Sequence, residues 1–120
     1  MKATPAIHVE PITIERGDET VATVTATAVQ MLHVARPSAN DEQVLKPEGE
    51  TITPHWDTIL LSYPPYWVWD SPQDQITAKF PVRTTMDTAP TTYHYPVHAW
   101  THREHHKDPD VTRDIAIAVT

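Results

Sequence analysis

Cysteine is absent from this 120-residue chain. That excludes a disulfide scaffold, a thiolate metal centre and a cysteine hydrolase, and it leaves the redox compartment open. Glycine occurs only twice, too rarely for a glycine-rich phosphate loop. Serine is confined to Ser38, Ser62 and Ser71, none of them in a GxSxG elbow. Basic residues are few: nine Lys and Arg against sixteen Asp and Glu give a formal net charge of −7. The nine are scattered, so the basic footprint of a nucleic-acid binder is missing. No apolar run is long enough to span a bilayer, and the start, "MKATPAIHVEPITIE", lacks the apolar core of a signal peptide. The expectation is a soluble protein with no membrane partner, kept in the cytoplasm or assembled there into something larger.

What the chain has instead is proline and threonine, 12 and 18 residues respectively. Threonine and valine suit a pleated, half-buried surface, and proline at this density forbids long helices. The length fits one domain with its own core. The predicted class is therefore all-β, a small single-domain β-barrel or sandwich with long loops. "AIHVEPITIER" alternates, with Pro11 as a kink or edge marker. "TVATVTATAVQMLHV" alternates for longer, placing Ala22, Val24, Ala26, Ala28, Leu32 and Val34 on one face of a long or bent strand. Residues 36–51 read as a long exposed loop. Further strands are expected at Ile59 to Leu61, around Trp67 to Trp69, from Ile76 to Val82, from Tyr93 to Trp100 and from Ile115 onward, with a turn at Asp70-Ser71-Pro72 and a second loop at 101–111. That makes six or seven strands and one short helical turn.

Two clusters invite a chemical reading. Five of the eight histidines fall between residues 94 and 106. His94, His98 and His102 recur every four residues, a spacing that on a helix would stack them for a divalent metal. Pro96 breaks that helix. On a strand His94 and His98 still share a face, opposite Tyr95 and Val97, and His102, Glu104, His105, His106, Asp108 and Asp110 follow in the loop. A zinc or nickel site on His94, His98, His102, His105 and His106 stands against a polar strand face running into a solvated loop, and no HExxH-type spacing selects the metal. The second cluster is "YPPYWVWD". Tyr63, Tyr66, Trp67 and Trp69 can form an interface or ligand platform, where such residues are enriched, or fill a core that otherwise has a single phenylalanine, Phe80. The expectation divides them: one tryptophan in the core, the other partly exposed. Asp57, Asp70 and Asp74 lie near these aromatics, as glycosidase carboxylates do and as ordinary turns do. No catalytic constellation emerges, so the chain is read as a non-enzyme without cofactor.

In order of elements the sequence resembles the head-closure (stopper) proteins of tailed bacteriophages, within the head–tail joining group. The resemblance runs through "ITIERGDET", the long strand "VATVTATAVQML", a polar loop, "DTILLSYPPYWVWDSPQDQIT", and the ending "YHYPVHAWTHREHHKDPDVTRDIAIAVT". It departs in its scarcity of glycine, in "YWVWD" and in the link from Thr84 to Thr92. The resemblance implies a structural virion protein, assembled in the host cytoplasm as a homo-oligomeric ring below portal and adaptor. Such a ring retains the packaged DNA, which passes nearby without sequence-specific binding, and offers a surface to tail proteins. An acidic wall suits that passage. Interface residues are then expected at Tyr66, Trp67 and Trp69, at Asn40, Asp41, Glu42 and Gln43 in the first loop, and at Glu104, His105 and His106 in the second. The alternatives are another virion component, such as a decoration or minor tail protein, a small His-rich metal protein, or a carbohydrate- or peptide-binding domain using Trp67 and Trp69.

Overall fold

A computed structural model describes residues 4–35, 44–46, 49–60, 65–104 and 106–120. The described chain forms ten strands: β1 Ala6–Val9, β2 Ile12–Ile14, β3 Glu19–Thr27, β4 Val29–Val34, β5 Thr51–Thr53, β6 Thr58–Leu60, β7 Tyr66–Gln73, β8 Ile76–Arg83, β9 Thr92–Trp100 and β10 Val111–Val119. They make two sheets, β1-β3-β8-β5 and β2-β10-β9-β4-β7-β6. The all-β expectation holds, and of barrel and sandwich the chain forms the sandwich.

The strand count exceeds the six or seven expected because two strands change sheets midway. Pro11 has no N–H to continue a ladder and a fixed φ. Before it, β1 pairs antiparallel with β3; after it, β2 pairs parallel with β10 in the other sheet. The long alternating stretch divides in the same way at Ala28, whose φ is +59°. β3 then lies in the four-stranded sheet and β4 in the six-stranded one. A side chain with a Cβ is disfavoured in that left-handed region, and a β-branched one more so. Ala28→Val is therefore expected to lower stability by about 1–3 kcal/mol, while Ala28→Gly does not lower it; urea titration of the two variants checks this.

The core lies between the sheets. Ala22, Val24 and Ala26 face it from β3, Ile76, Ala78, Phe80 and Val82 from β8, Tyr95 and Val97 from β9, and Ile115, Ile117 and Val119 from β10. Period-two alternation predicts each of these faces. Trp67 and Trp69 both join this core, at 0% and 1% exposure. This corrects the division of one buried and one partly exposed tryptophan, and it removes both from the expected interface. Two residues apart on one strand, they share a face, and that face is the inner one. Trp67 packs against Phe80, ring centres 5.6 Å apart. The Trp69 indole N–H donates to the Pro54 carbonyl at 3.1 Å, whereas the buried Trp67 Nε1 has no acceptor among the described residues.

Three further expectations are corrected. Asp70-Ser71-Pro72 is not a turn but part of β7. There the pairing slips: Met31 faces Val68 while Val29 faces Gln73. Four residues of β7 thus oppose Gln30 alone, a bulge that accommodates Pro72 where no ladder N–H is needed. In place of a buried strand from Ile59 to Leu61, β6 is a half-buried edge strand, and Leu61 lies outside the described residues. The loop expected at 36–51 is not exposed throughout. Val44 and Leu45 are fully buried, their amides donate to the Tyr95 hydroxyl at 2.9 and 3.3 Å, and Leu45 bridges to Val82. Asn40, Asp41, Glu42 and Gln43 lie outside the described residues.

The connection into β9 is anchored by Tyr93, whose hydroxyl donates to the Ala89 carbonyl four residues upstream at 3.1 Å. The loop after β9 is stapled at both ends. Asp110 accepts from the Thr101 amide at 2.7 Å and its hydroxyl at 3.1 Å, and the Trp100 indole N–H donates to the Lys107 carbonyl at 2.8 Å.

Candidate functional site: a ring ladder on the outer sheet face

The outer face of a sandwich sheet ordinarily meets water, and its residues alternate with the core-facing ones. On the six-stranded sheet, the part of this face formed by β6, β7, β4 and the end of β9 is aromatic and apolar instead, whereas His94 and Asp114 lie on it farther along β9 and β10. Register builds it in two rows. His33 on β4 lies opposite His98 on β9 and opposite Tyr66 on β7, and Tyr66 in turn faces Leu60 on β6. In the next row Met31 lies between Trp100 and Val68. Directly paired side chains on one face approach within contact distance. The rings accordingly stack: His33 on Tyr66 with centres 4.0 Å apart and planes at 12°, His33 beside His98 at 6.1 Å and 16°. Trp100 stands tilted against Tyr66 at 5.7 Å and against His98 at 6.2 Å. Met31, Val68 and Trp100 are buried there, with Leu60 and Tyr66 partly buried at the margin.

The loop after β9 overhangs this ladder. Between them is an open pocket of about 300 Å³, with His33, Tyr66, His98 and Trp100 on the sheet side and residues 106–109 on the loop side. Two hydrogen bonds orient the imidazoles. His33 Nδ1 lies 3.1 Å from the Pro65 carbonyl, which can only accept, so Nδ1 carries the proton. His98 Nδ1 lies 3.0 Å from the Thr112 hydroxyl. Burial holds the pKa of His33 below its ordinary value, the bond to Pro65 pulls the other way, and the neighbouring His98 lowers it further. Burial alone lowers that of His98. Both rings are therefore neutral at pH 7. Glu104, exposed on the loop, has its carboxyl below the usual range, chiefly through the hydrogen bond from Lys107; that ion pair measures 2.7 Å.

The pH consequence has a definite sign. A histidine with a lowered folded pKa binds protons less readily folded than unfolded. Its neutral-state stability is complete above the unfolded value, about 6.5, and is lost as pH falls below it toward the folded value. The urea midpoint should thus fall between pH 7 and pH 5, with a slope for His33 of at most ~1.4 kcal/mol per pH unit. His33→Gln should flatten that slope, and an unchanged slope would remove His33 as its source.

Of the site residues expected from sequence, Tyr66 and His106 line this pocket and Glu104 sits on the same loop. His98 lines it too. His94 shares the outward side of β9 but pairs with Asp114 on β10. His102 Nδ1 accepts from the Glu104 amide at 3.2 Å, and its Nε2 lies 3.9 Å from Asp110. His105 lies outside the described residues. Among the described residues no three His, Asp or Glu side chains are placed to hold one metal ion. Asp57 is a structural acceptor, taking the Asp70 amide at 2.8 Å.

No protein-family model matches the chain, and no curated protein matches it.

His33 and Trp100 are the members of the site that sequence reasoning missed. His33 belongs to "MLHV", where Leu32 and Val34 face the core, so alternation does place Met31 and His33 outward together. The signal that two such outward residues meet His98 and Trp100 is the β4–β9 register, which the sequence does not display.

Proposed function

We propose that this chain is a non-catalytic structural protein that assembles through the outer face of its six-stranded sheet, and that it acts as a ring subunit of a tailed-phage head–tail connector, in the head-closure position. The observation that supports assembly is the half-buried aromatic and apolar rim of that face, Tyr66 and Leu60, which lies over the buried cluster of Met31, Val68 and Trp100. Tyrosine is among the residues enriched at the centres of protein interfaces. Tyr66, Glu104 and His106, expected at an interface from the sequence, all belong to this face or its overhanging loop. The connector setting rests on the order of sequence elements, and the net charge of −7 suits a wall past which DNA slides without sticking.

Native mass spectrometry of the purified chain, alone and with portal and tail components, tests the proposal. A closed homo-oligomer, or a complex with those components, is the expected result, and Tyr66→Ala should weaken it. A chain that stays monomeric and binds neither component defeats the reading.

A further inference from the structure

We infer that the pocket above the ring ladder receives an arginine side chain from a basic partner protein. The ground is an inventory of the pocket's hydrogen-bonding groups. His33 lines the sheet side and is only 9% exposed. Its Nδ1–H is spent on the Pro65 carbonyl, so in the neutral ring Nε2 is a bare acceptor. That nitrogen has no partner among the described residues. On the loop side, the Asp108 carboxylate likewise has no hydrogen bond or ion pair among the described residues. Two neighbouring donors are already occupied. The Trp100 indole N–H goes to the Lys107 carbonyl at 2.8 Å, and the Lys107 ammonium is held by Glu104 at 2.7 Å. Open acceptors on both sides of a pocket call for a ligand that donates. Beside a carboxylate, a cationic donor makes the stronger hydrogen bond.

Guanidinium fits these groups better than ammonium does. It carries its N–H donors in a rigid planar fork, so different edges can meet His33 and Asp108 together; an ammonium is a compact, strongly hydrated point charge. Tyr66 and Trp100 add an aromatic lining, a surface that the weakly hydrated guanidinium tolerates well. The open volume of about 300 Å³ admits the end of one long side chain. Burial holds the pKa of His33 down, so at pH 7 its ring carries no charge to repel a cation. Lys107 also lines the pocket, with its charge countered by Glu104. The chain's net charge of −7 draws a basic partner and works against a second copy as the occupant.

The inference builds on the reading of this face as an interface by naming what a partner presents to it. The pocket is complete within one chain, so its occupancy and the oligomeric state are measured separately. Its decisive acceptors come from β4 and from the loop after β9; His94, engaged with Asp114, takes no part.

Titration of the tag-free full chain at pH 7 with N-acetyl-arginine amide, followed by NMR, tests the inference. Saturable shift changes are expected at His33, His98, the Trp100 indole and residues 106–109. N-acetyl-citrulline amide has the same shape without the charge and should bind about tenfold more weakly or worse. N-acetyl-lysine amide should also bind more weakly than the arginine probe. Asp108→Asn, at an exposed loop position, should weaken arginine binding by about tenfold. Asp74→Asn, between β7 and β8, should leave it unchanged. The wild-type shift map needs no variant to fold. Equal responses to arginine and citrulline, shifts spread over acidic residues elsewhere, or no saturable response overturns the inference. The same shifts appearing when the chain alone is concentrated would assign the pocket to a second copy and overturn it too. A chain that binds the arginine probe but neither itself nor portal and tail components upholds this inference and defeats only the assembly reading.

Discussion

Trp67→Ala is expected to destabilise the domain by about 3–5 kcal/mol, the cost of emptying a large aromatic site in a packed core. A domain of this size is held by ~5–15 kcal/mol in all, so the variant should be largely unfolded in modest urea. The magnitude follows from placement. Trp67 is fully buried on the inner face of β7 and packs against Phe80, the only phenylalanine in the chain. No second large ring can shift to fill the gap without losing its own contacts, since Trp69 is held by the Pro54 carbonyl. Trp67→Phe provides the sharper comparison. It removes an indole N–H that is buried without an acceptor among the described residues, and deleting an unsatisfied donor recovers part of the lost packing. Trp69→Phe deletes a donor that is satisfied. Trp67→Phe should therefore be the milder of the two, as read from urea midpoints by circular dichroism. The reverse order would mean that the Trp67 indole is hydrogen-bonded.

Tyr95→Phe removes one oxygen atom and should lower stability by about 2–4 kcal/mol. The Tyr95 hydroxyl accepts from the amides of Val44 and Leu45, both residues being fully buried. Phenylalanine leaves these two donors without that acceptor, in a place where each unsatisfied group costs about 1–3 kcal/mol. The effect has a local signature. Hydrogen exchange at Val44 and Leu45 should accelerate more than at Ala78 or Ile117 in the sheets, because the segment after β4 is docked by Tyr95, by Leu45 against Val82 and by the Arg83 amide to the Val44 carbonyl at 2.9 Å. A uniform loss of protection, or a change under about 0.5 kcal/mol, would show that the hydroxyl is not what docks the segment.

The two predictions differ in how visible their residues were. Trp67 could be singled out from "YWVWD", but alternation says only that Trp67 and Trp69 share a face, not which face. Two inward indoles require that β7 lie between β4 and β6 with its Val68 side outward, a matter of sheet order. Val44 and Leu45 sit in a polar, proline-flanked stretch whose composition predicts an exposed loop. They are buried because a tyrosine fifty residues later presents an oxygen to them, a contact with no local trace. The bulge at Asp70 to Pro72 reads as a turn in the sequence for a related reason: turn-forming residues and bulge-forming residues are the same residues, and only the partner strand distinguishes them.

The sequence by itself determined that this is an all-β chain, where its longest alternating faces point, and that Pro96 prevents a helical histidine stack. These are local consequences of side-chain period and of backbone chemistry, which every residue carries with it. Tertiary structure decided which strands belong to which sheet, with Pro11 and Ala28 as the crossing points, and which outward residues become neighbours. His33, Tyr66, His98 and Trp100 form one surface because three strands from distant parts of the chain pair in a single register. Cross-strand pairing acts between residues far apart in sequence, so their spacing along the chain holds no record of it.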